Sequence, residues 1–260
     1  MADWTLITGA SDGLGAEFAK LAAKHGRNVV LTARSENRLE ALAEDLRADG
    51  VDVVVIPADL NDLAEVDRLW SAATDGRRID FLVNNAGLGR NGPFGTDGGA
   101  GWDMELSSID VNVRALTRLM RLAIPHMTEA GSGRILNVAS VAGFLPGPNM
   151  AVYHATKAFV LHLSEAVAHE LRNTRVTVTA LCPGATRTGF FGKADMNGVR
   201  LLKLAPPANA HDVAKIGWQA ALGGRRVVVP GAMNTLSSLL PRVAPRGLVT
   251  ALTGKIMSKN

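Results

Sequence analysis

The only tyrosine of the chain, Tyr153, stands four residues before Lys157. Residues four apart on a helix lie one above the other on the same face, so this spacing brings an ammonium close to a phenol oxygen. Two unit charges about 4 Å apart at an effective dielectric of about 20 interact by roughly 4 kcal/mol, or about 3 pKa units on a group that starts near 10. A tyrosine held in this way is expected to exchange a proton near neutral pH, as a general acid or base. Ser140 follows an apolar run over 135–139 and is expected to present a neutral hydrogen-bond donor to the same spot. The plainer alternative for the pair is two neighbours on a helix surface, and only further matching elements decide between them.

Those elements are legible around the pair. Residues 151–171 read as a long helix carrying Tyr153 and Lys157, and 134–139 as the strand that ends at Ser140. The stretch 136–156 lacks formal charge, but Asn137, Pro146, Pro148 and Asn149 interrupt it with breakers and amides, which argues against a membrane span. Upstream, a short apolar strand over 4–8 runs into Gly9, Ala10, Ser11, Asp12, Gly13, Leu14 and Gly15, and a helical pattern follows through Phe18, Leu21 and Ala22. Glycines let a backbone approach a pyrophosphate, and the free N–H groups of a helix N-terminus bind that anion. An ordinary tight turn is the alternative, since Gly-x-x-x-Gly-x-Gly departs from the G-x-G-x-x-G fingerprint.

A second strand over 28–33 ends on Arg34 and Ser35, about twenty residues beyond the glycines, where dinucleotide folds read the ribose 2′ position. An acid there favours NAD, whereas the Arg34 guanidinium suits a 2′-phosphate; the alternative is a surface arginine closing a strand. A third strand over 51–56 leads to Asp59 and Leu60, with Asp59 suited either to an adenine amino group or to capping a helix that begins near Asn61 or Asp62. Helical spacing recurs over 39–46 and 63–70, and a fourth strand over 79–83 runs into Asn84, Asn85, Ala86 and Gly87. A glycine-rich loop over 88–101 precedes two helical segments over 102–130, where Asn112 sits in apolar surroundings and must bond neighbouring backbone or hold a water. Strand six over 175–181 ends in Cys182, Pro183 and Gly184; a helix over 212–221 and a seventh strand over 226–229 follow. Strands alternating with helices predict an α/β fold, a doubly wound parallel sheet.

Two late segments differ in character. Residues 186–207 mix Phe190, Phe191, Leu201, Leu202 and Leu204 with glycines and basic side chains, and read as a partly mobile flap. Residues 233–257 read as helical segments broken at Pro241 and Pro245. So many large apolar groups need something to cover, and a mainly apolar substrate under a lid formed by 186–207 and 233–260 is the expectation. In the tail, Leu248, Leu252 and Ile256 recur at four-residue spacing beside Val249, with Arg246, Lys255 and Lys259 elsewhere. That stripe is expected to pack on its own or a neighbouring subunit, to cover substrate, or to touch a membrane surface.

With 260 residues, 47% apolar composition, no linker and no internal repeat, one domain over 1–260 is expected. The formal charge of +4 is spread without a dense basic block, so no nucleic-acid partner is expected. A single cysteine, Cys182, permits no internal disulfide, and the start of the chain shows no secretory pattern, so a cytoplasmic protein is the expectation. His162 and His169 lie seven apart with no carboxylate cluster beside them, and no metal site is expected.

Taken in order, Thr8 to Gly15, Asn84-Asn85-Ala86-Gly87, Asn112, Ser140, Tyr153-His154-Ala155-Thr156-Lys157 and Pro183-Gly184 resemble the short-chain dehydrogenase/reductase family over nearly the whole chain. The resemblance implies a Rossmann-type sheet of about seven strands with helices on both faces, a nicotinamide cofactor, and interconversion of a carbonyl and an alcohol. It implies Tyr153 as general acid or base, Ser140 as holder of the substrate oxygen, Lys157 on the nicotinamide ribose, and Asn112 keeping a water that links Lys157 to solvent. Gly9, Ser11, Asp12, Gly13, Leu14 and Gly15 would surround the pyrophosphate, Asp59 and Leu60 the adenine, and Asn85, Ala86 and Gly87 the adenosine ribose. Pro183, Gly184, Thr186 and Thr188 would meet the nicotinamide end. Arg34 and Ser35 resemble NADP(H)-preferring members, with NAD(H) the alternative because Asp12 stands where some of those members carry a base. A homodimer or homotetramer through the helix over 151–171 is implied as well. A dinucleotide-binding regulator without turnover is the competing reading, and the presence of both Tyr153 and Lys157 weighs against it.

Overall fold

Uninterrupted runs of Val, Ile and Leu suit strands covered on both faces, and the molecule uses them in that way. The computed structural model describes residues 3–96, 98–99, 101–204 and 206–259; the Leu204 side chain and Asn260, both part of the expectations above, lie outside the described residues. The strands are β1 (Asp3–Thr8), β2 (Asn28–Thr32), β3 (Val53–Val55), β4 (Arg78–Asn84), β5 (Gly133–Val138), β6 (Val176–Leu181) and β7 (Val227–Val228). They form one seven-stranded sheet in the order β3-β2-β1-β4-β5-β6-β7. Every pairing is parallel. All carboxyl ends therefore open on one edge, and the strand order reverses beside β1, where a parallel sheet leaves its crevice.

Helices cover both faces. On one lie α1 (Gly13–Lys24), α2 (Glu36–Ala48) and a later helix, α9 (Ala210–Leu222), packed around Phe18, Leu39, Phe81 and Trp218. On the other, α3 (Leu63–Thr74), α5 (Leu116–Glu129) and α6 (Ala151–Glu170) enclose Leu69, Leu82, Leu119, Ile135 and Val160. Between α4 (Trp102–Ile109) and α5 the helix does not stop but loosens into a π-helical segment, Asp110–Ala115. The two separate segments expected over 102–130 are thus one rod with a widened turn.

The remaining helices are α7 (Phe190–Lys193), α8 (Arg200–Leu204), α9 (Ala210–Leu222), α10 (Ala232–Val243) and α11 (Arg246–Met257). Pro241 does not break the tail as expected: it sits inside the last turn of α10, where a missing N–H costs one bond and Ala244 N still donates to Leu240 O. The break falls at Ala244, whose backbone is extended (ψ 148) because it precedes Pro245. Strands three and seven are shorter than their apolar runs, since each lies at an edge of the sheet with one neighbour to pair.

Candidate active site

The turn after β1 is built for close approach. Gly9 (φ +65) and Gly13 (φ +56) occupy the left-handed region that favours glycine. A Cβ on Gly15 would strike the carbonyl oxygen of Gly9 and come within 2.6 Å of Asn85 Nδ2. The turn after β4 is tied to it. Asn85 Nδ2 donates to Thr8 O (2.9 Å) and Gly9 O (3.2 Å), and Thr8 Oγ1 accepts from the N–H groups of Asn85 and Ala86 (3.0 Å each). Helix α1 begins at Gly13 with no side-chain cap and no acid in its first turn. Its leading N–H groups and the glycine cradle fit the pyrophosphate of a dinucleotide.

At the far end of the crevice, Arg34 and Ser35 follow β2, exposed, and Arg38 comes one helical turn later. Arg38, in the first turn of α2, was not anticipated; it borders the same end of the cavity as Arg34, which precedes the helix. Asp59 Oδ1 accepts from Asn61 N (3.1 Å) and Nδ2 (2.7 Å), while Asp62 caps α3 by accepting from Ala64 N (2.8 Å). The capping alternative for Asp59 is therefore taken by Asp62.

Helix α6 brings Tyr153 and Lys157 to the carboxyl ends of β5 and β6. The Ser140 hydroxyl hydrogen-bonds the Tyr153 phenol, accepts from Ala142 N (3.1 Å) and donates to Pro183 O (3.3 Å), opening a short 3-10 turn (Val141–Phe144) absent from the expectations. Lys157 is buried, donates to Val138 O (2.8 Å), and its Nζ lies 5.8 Å from the centre of the Tyr153 ring. The expected depression of the phenol is not what the chain alone produces. Burial pushes Tyr153 up to about 12 against the smaller opposing effect of Ser140, and burial lowers Lys157 to about 8. The reason is desolvation: both groups lose water, which disfavours the phenolate and the ammonium alike.

Asn112, on the π-helical segment, is fully engaged by protein. Its Oδ1 accepts from Leu88 N (2.9 Å), and its Nδ2 donates to Leu88 O (2.8 Å) and to Thr156 Oγ1 (3.0 Å). Bonding to neighbouring backbone, one of its two expected roles, is made at Leu88. Among the expected site residues, only Asn112 and Gly15 do not border the central cavity; Gly15 lies beneath the glycine turn as a packing position. His154, buried beside Tyr153, bonds Leu145 O through Nδ1 (2.8 Å).

That cavity, about 930 Å³, runs from the glycine turn past Tyr153 to an apolar end lined by Phe190, Phe191, Met196, Leu201, Leu252 and Ile256. Phe190 packs on the Tyr153 ring at 5.2 Å between centres. The segment read as a mobile flap is held on several sides. Ala194 O accepts from Asn91 N (2.8 Å), Val199 bridges Lys259, and Lys259 pairs with Asp195 (2.6 Å). Its Lys193 reaches back to Asp12 of the glycine turn (3.5 Å). Met150, Ala194, Met196 and Val199 form a small core of their own beneath it.

The family model described as short chain dehydrogenase matches residues 3–197. The ketoacyl reductase HetN of Nostoc sp. is 36% identical over 214 residues, covering 81% of this chain and 73% of that protein. A short-chain dehydrogenase from Sphingobium yanoikuyae, solved in complex with NADPH, superposes with a TM-score of 0.81 at 33% identity over 94% of this chain and 97% of that one. A short chain dehydrogenase/reductase from Burkholderia phymatum in complex with NAD gives a TM-score of 0.83 at 28% identity, covering 92% of each chain.

Proposed function

This chain belongs to the short-chain dehydrogenase family and is an oxidoreductase that uses a nicotinamide dinucleotide, and from that premise we propose that it reduces the carbonyl of a mainly apolar substrate with NADPH, Tyr153 serving as general acid. The observation that carries the reading is one continuous cavity bordered at one end by the glycine cradle and Arg34, in the middle by Ser140 and Tyr153, and at the other by large apolar side chains. The bound dinucleotide supplies the hydride. Ser140 holds the carbonyl oxygen by hydrogen bond, and Tyr153 gives that oxygen its proton. A phenol pushed up to about 12 is fully protonated at neutral pH, the state a reductive acid needs. Lys157 supplies a donor to the ribose side of the cavity and a positive charge that stabilises the phenolate left behind. Asn112 positions the loop at Leu88 and, through Thr156, the first turns of α6.

Relatedness to a ketoacyl reductase and the apolar lid both support carbonyls with long or bulky apolar groups over small polar ones. NADPH absorbance followed over a panel running from acetone to long-chain and aromatic ketones and 3-oxoacyl thioesters tests this. A kcat/KM that rises with apolar size is expected; no oxidation of NADPH or NADH by any member would leave the fold as a dinucleotide-binding regulator. The exposed side of α6, with Phe159 at 40% exposure, is the surface we assign to a homo-oligomer.

The coenzyme preference rests on Arg34 and Arg38. Arg34→Asp is expected to shift the NADPH to NADH ratio of kcat/KM by at least about tenfold toward NADH, since it removes a charge-assisted bond and adds repulsion against the 2′-phosphate. A shift of less than about threefold would pass that role to Arg38.

A further inference from the structure

Helix α10 carries its apolar pattern inside out. Met233, Leu236, Leu240 and Val243 follow three- and four-residue spacing along one stripe, yet are 74, 63, 42 and 85% exposed, while Ser238 on the opposite side is buried. Helix α11 buries Val249 and Thr253 and keeps Leu248 and Leu252 outward at 53 and 44%. Of the fourteen large apolar side chains exposed among the described residues, seven fall within 233–252. A face of this kind is finished only by something apolar laid against it.

Charge identifies what that is. Residues 233–259 contain Arg242, Arg246, Lys255 and Lys259 and no acid, a sum equal to the whole chain's formal +4. Lys259 is paired with Asp195; the other three are exposed, and none has an ion-pair partner among the described residues. A second copy meeting this face about a two-fold axis would bring these cations onto one another with no acid in the tail to offset them. An acidic soluble protein would answer the cations but leave most of the seven apolar groups uncovered. An anionic bilayer answers both, taking apolar side chains below its headgroups and cations among them. The face is also continuous with the cavity, because Met233, Leu240 and Leu252 border it.

We propose that the outer face of α10 and α11 docks on an anionic lipid surface and turns the cavity mouth toward it. An apolar substrate then enters from the lipid without crossing water. The route for substrate rests on the function proposed above; the docking does not.

Co-sedimentation of the full chain with phosphatidylcholine vesicles, with and without phosphatidylserine, tests the docking without turnover. The wild type is expected to pellet with the phosphatidylserine vesicles and to be released by salt. A Leu236→Asn/Val243→Asn double variant is expected to lose more than about tenfold in vesicle affinity, and Arg242→Gln/Arg246→Gln more than about tenfold on phosphatidylserine only. None of these four side chains borders the cavity, so NADPH oxidation with a water-soluble ketone should be unchanged and certifies the fold. Three results would overturn the proposal: a wild type that stays in the supernatant, pelleting indifferent to phosphatidylserine and salt, or light scattering in which the Leu236→Asn/Val243→Asn variant dissociates an oligomer that the wild type forms. Vesicle binding by a protein that reduces no carbonyl would sink the proposed function and leave the docking standing.

Discussion

Tyr153→Phe is expected to lower kcat/KM for carbonyl reduction by about 10³-fold while the Kd for NADPH stays within about threefold. The substitution removes only the transferable proton. The ring remains, packed on Phe190 at 5.2 Å and set against Gly89, where a Cβ would come within 2.7 Å of Tyr153 Cδ2, so the wall of the cavity keeps its shape. Ser140 is not orphaned, because its hydroxyl still accepts from Ala142 N and donates to Pro183 O. Steady-state rates beside NADPH fluorescence titration measure the two halves separately. A variant retaining more than about a tenth of wild-type turnover would remove Tyr153 from the chemistry, and one that also lost the cofactor would show that the change had reached beyond the proton.

Lys157→Met is expected to abolish most turnover and yet stabilise the protein. The lysine is buried, no carboxylate among the described residues contributes to its environment, and burial lowers it from 10.5 to about 8. At 1.36 kcal/mol per pKa unit, holding it protonated at pH 7 costs roughly 3 kcal/mol relative to the unfolded chain. Methionine is a neutral chain of similar length, but it leaves Val138 O without its donor, returning about 1–2 kcal/mol of that gain. A net rise of about 1 kcal/mol, or some 3 °C in Tm for a chain of this size, is the expected balance at pH 7. The pH dependence has a definite sign. Between pH 8 and 10.5 the unfolded chain holds the Lys157 proton more tightly than the folded one, so wild-type stability gains from this group as pH rises through that window. The advantage of the variant should shrink accordingly. Tyr153, raised from 10 to about 12, works oppositely above pH 10, where the folded chain holds the extra proton, so the comparison is cleanest between pH 7 and 10. Thermal melts of both proteins across that range are the measurement, and a variant less stable than wild type at pH 7 would mean that the lysine holds the cavity together rather than straining it. A stabilised, inactive variant is the signature of a group kept for function.

The strands and their order of appearance were legible because both-face burial writes continuous apolar runs into the chain, and the glycine turn was legible because φ above zero and close approach permit few other residues. The residues around Tyr153 were legible by type and spacing. What was not legible depends on partners far away in the chain. Asn112 declares only that it needs bonds; that it finds them at Leu88 and Thr156 follows from the crossing of α6 with the π-helical segment. The turn at Val141–Phe144 has no pattern of its own and is opened by Ser140 acting as its cap. The direction of the Tyr153 shift is not legible because helical spacing reports which side chains are neighbours, whereas the depth at which they lie is set by β5, β6 and the segment carrying Phe190. Arg38 was not legible because which side of the first turn of α2 meets the crevice is set by how the helix packs on the sheet.

The widened turn at Asp110–Ala115 also sets how this region tolerates changes of length. A π-helical turn holds one residue more than an α-helical turn, and each residue advances a helix by about 100°. Deleting one residue from 110–115 would restore regular helical hydrogen bonding locally and look like an improvement by propensity. Because the widened turn spans about the same rotation as an ordinary turn with one residue fewer, Leu119, Met120 and Ser108 would keep facing inward, and the loss would fall on Asn112 and its bonds to Leu88 and Thr156. The widened turn therefore leaves the inward faces of α4 and α5 in phase and gives Asn112 its place between Leu88 and Thr156. Insertions and deletions here should be carried by the glycine-rich loop over 88–101, whose length no helix face has to match.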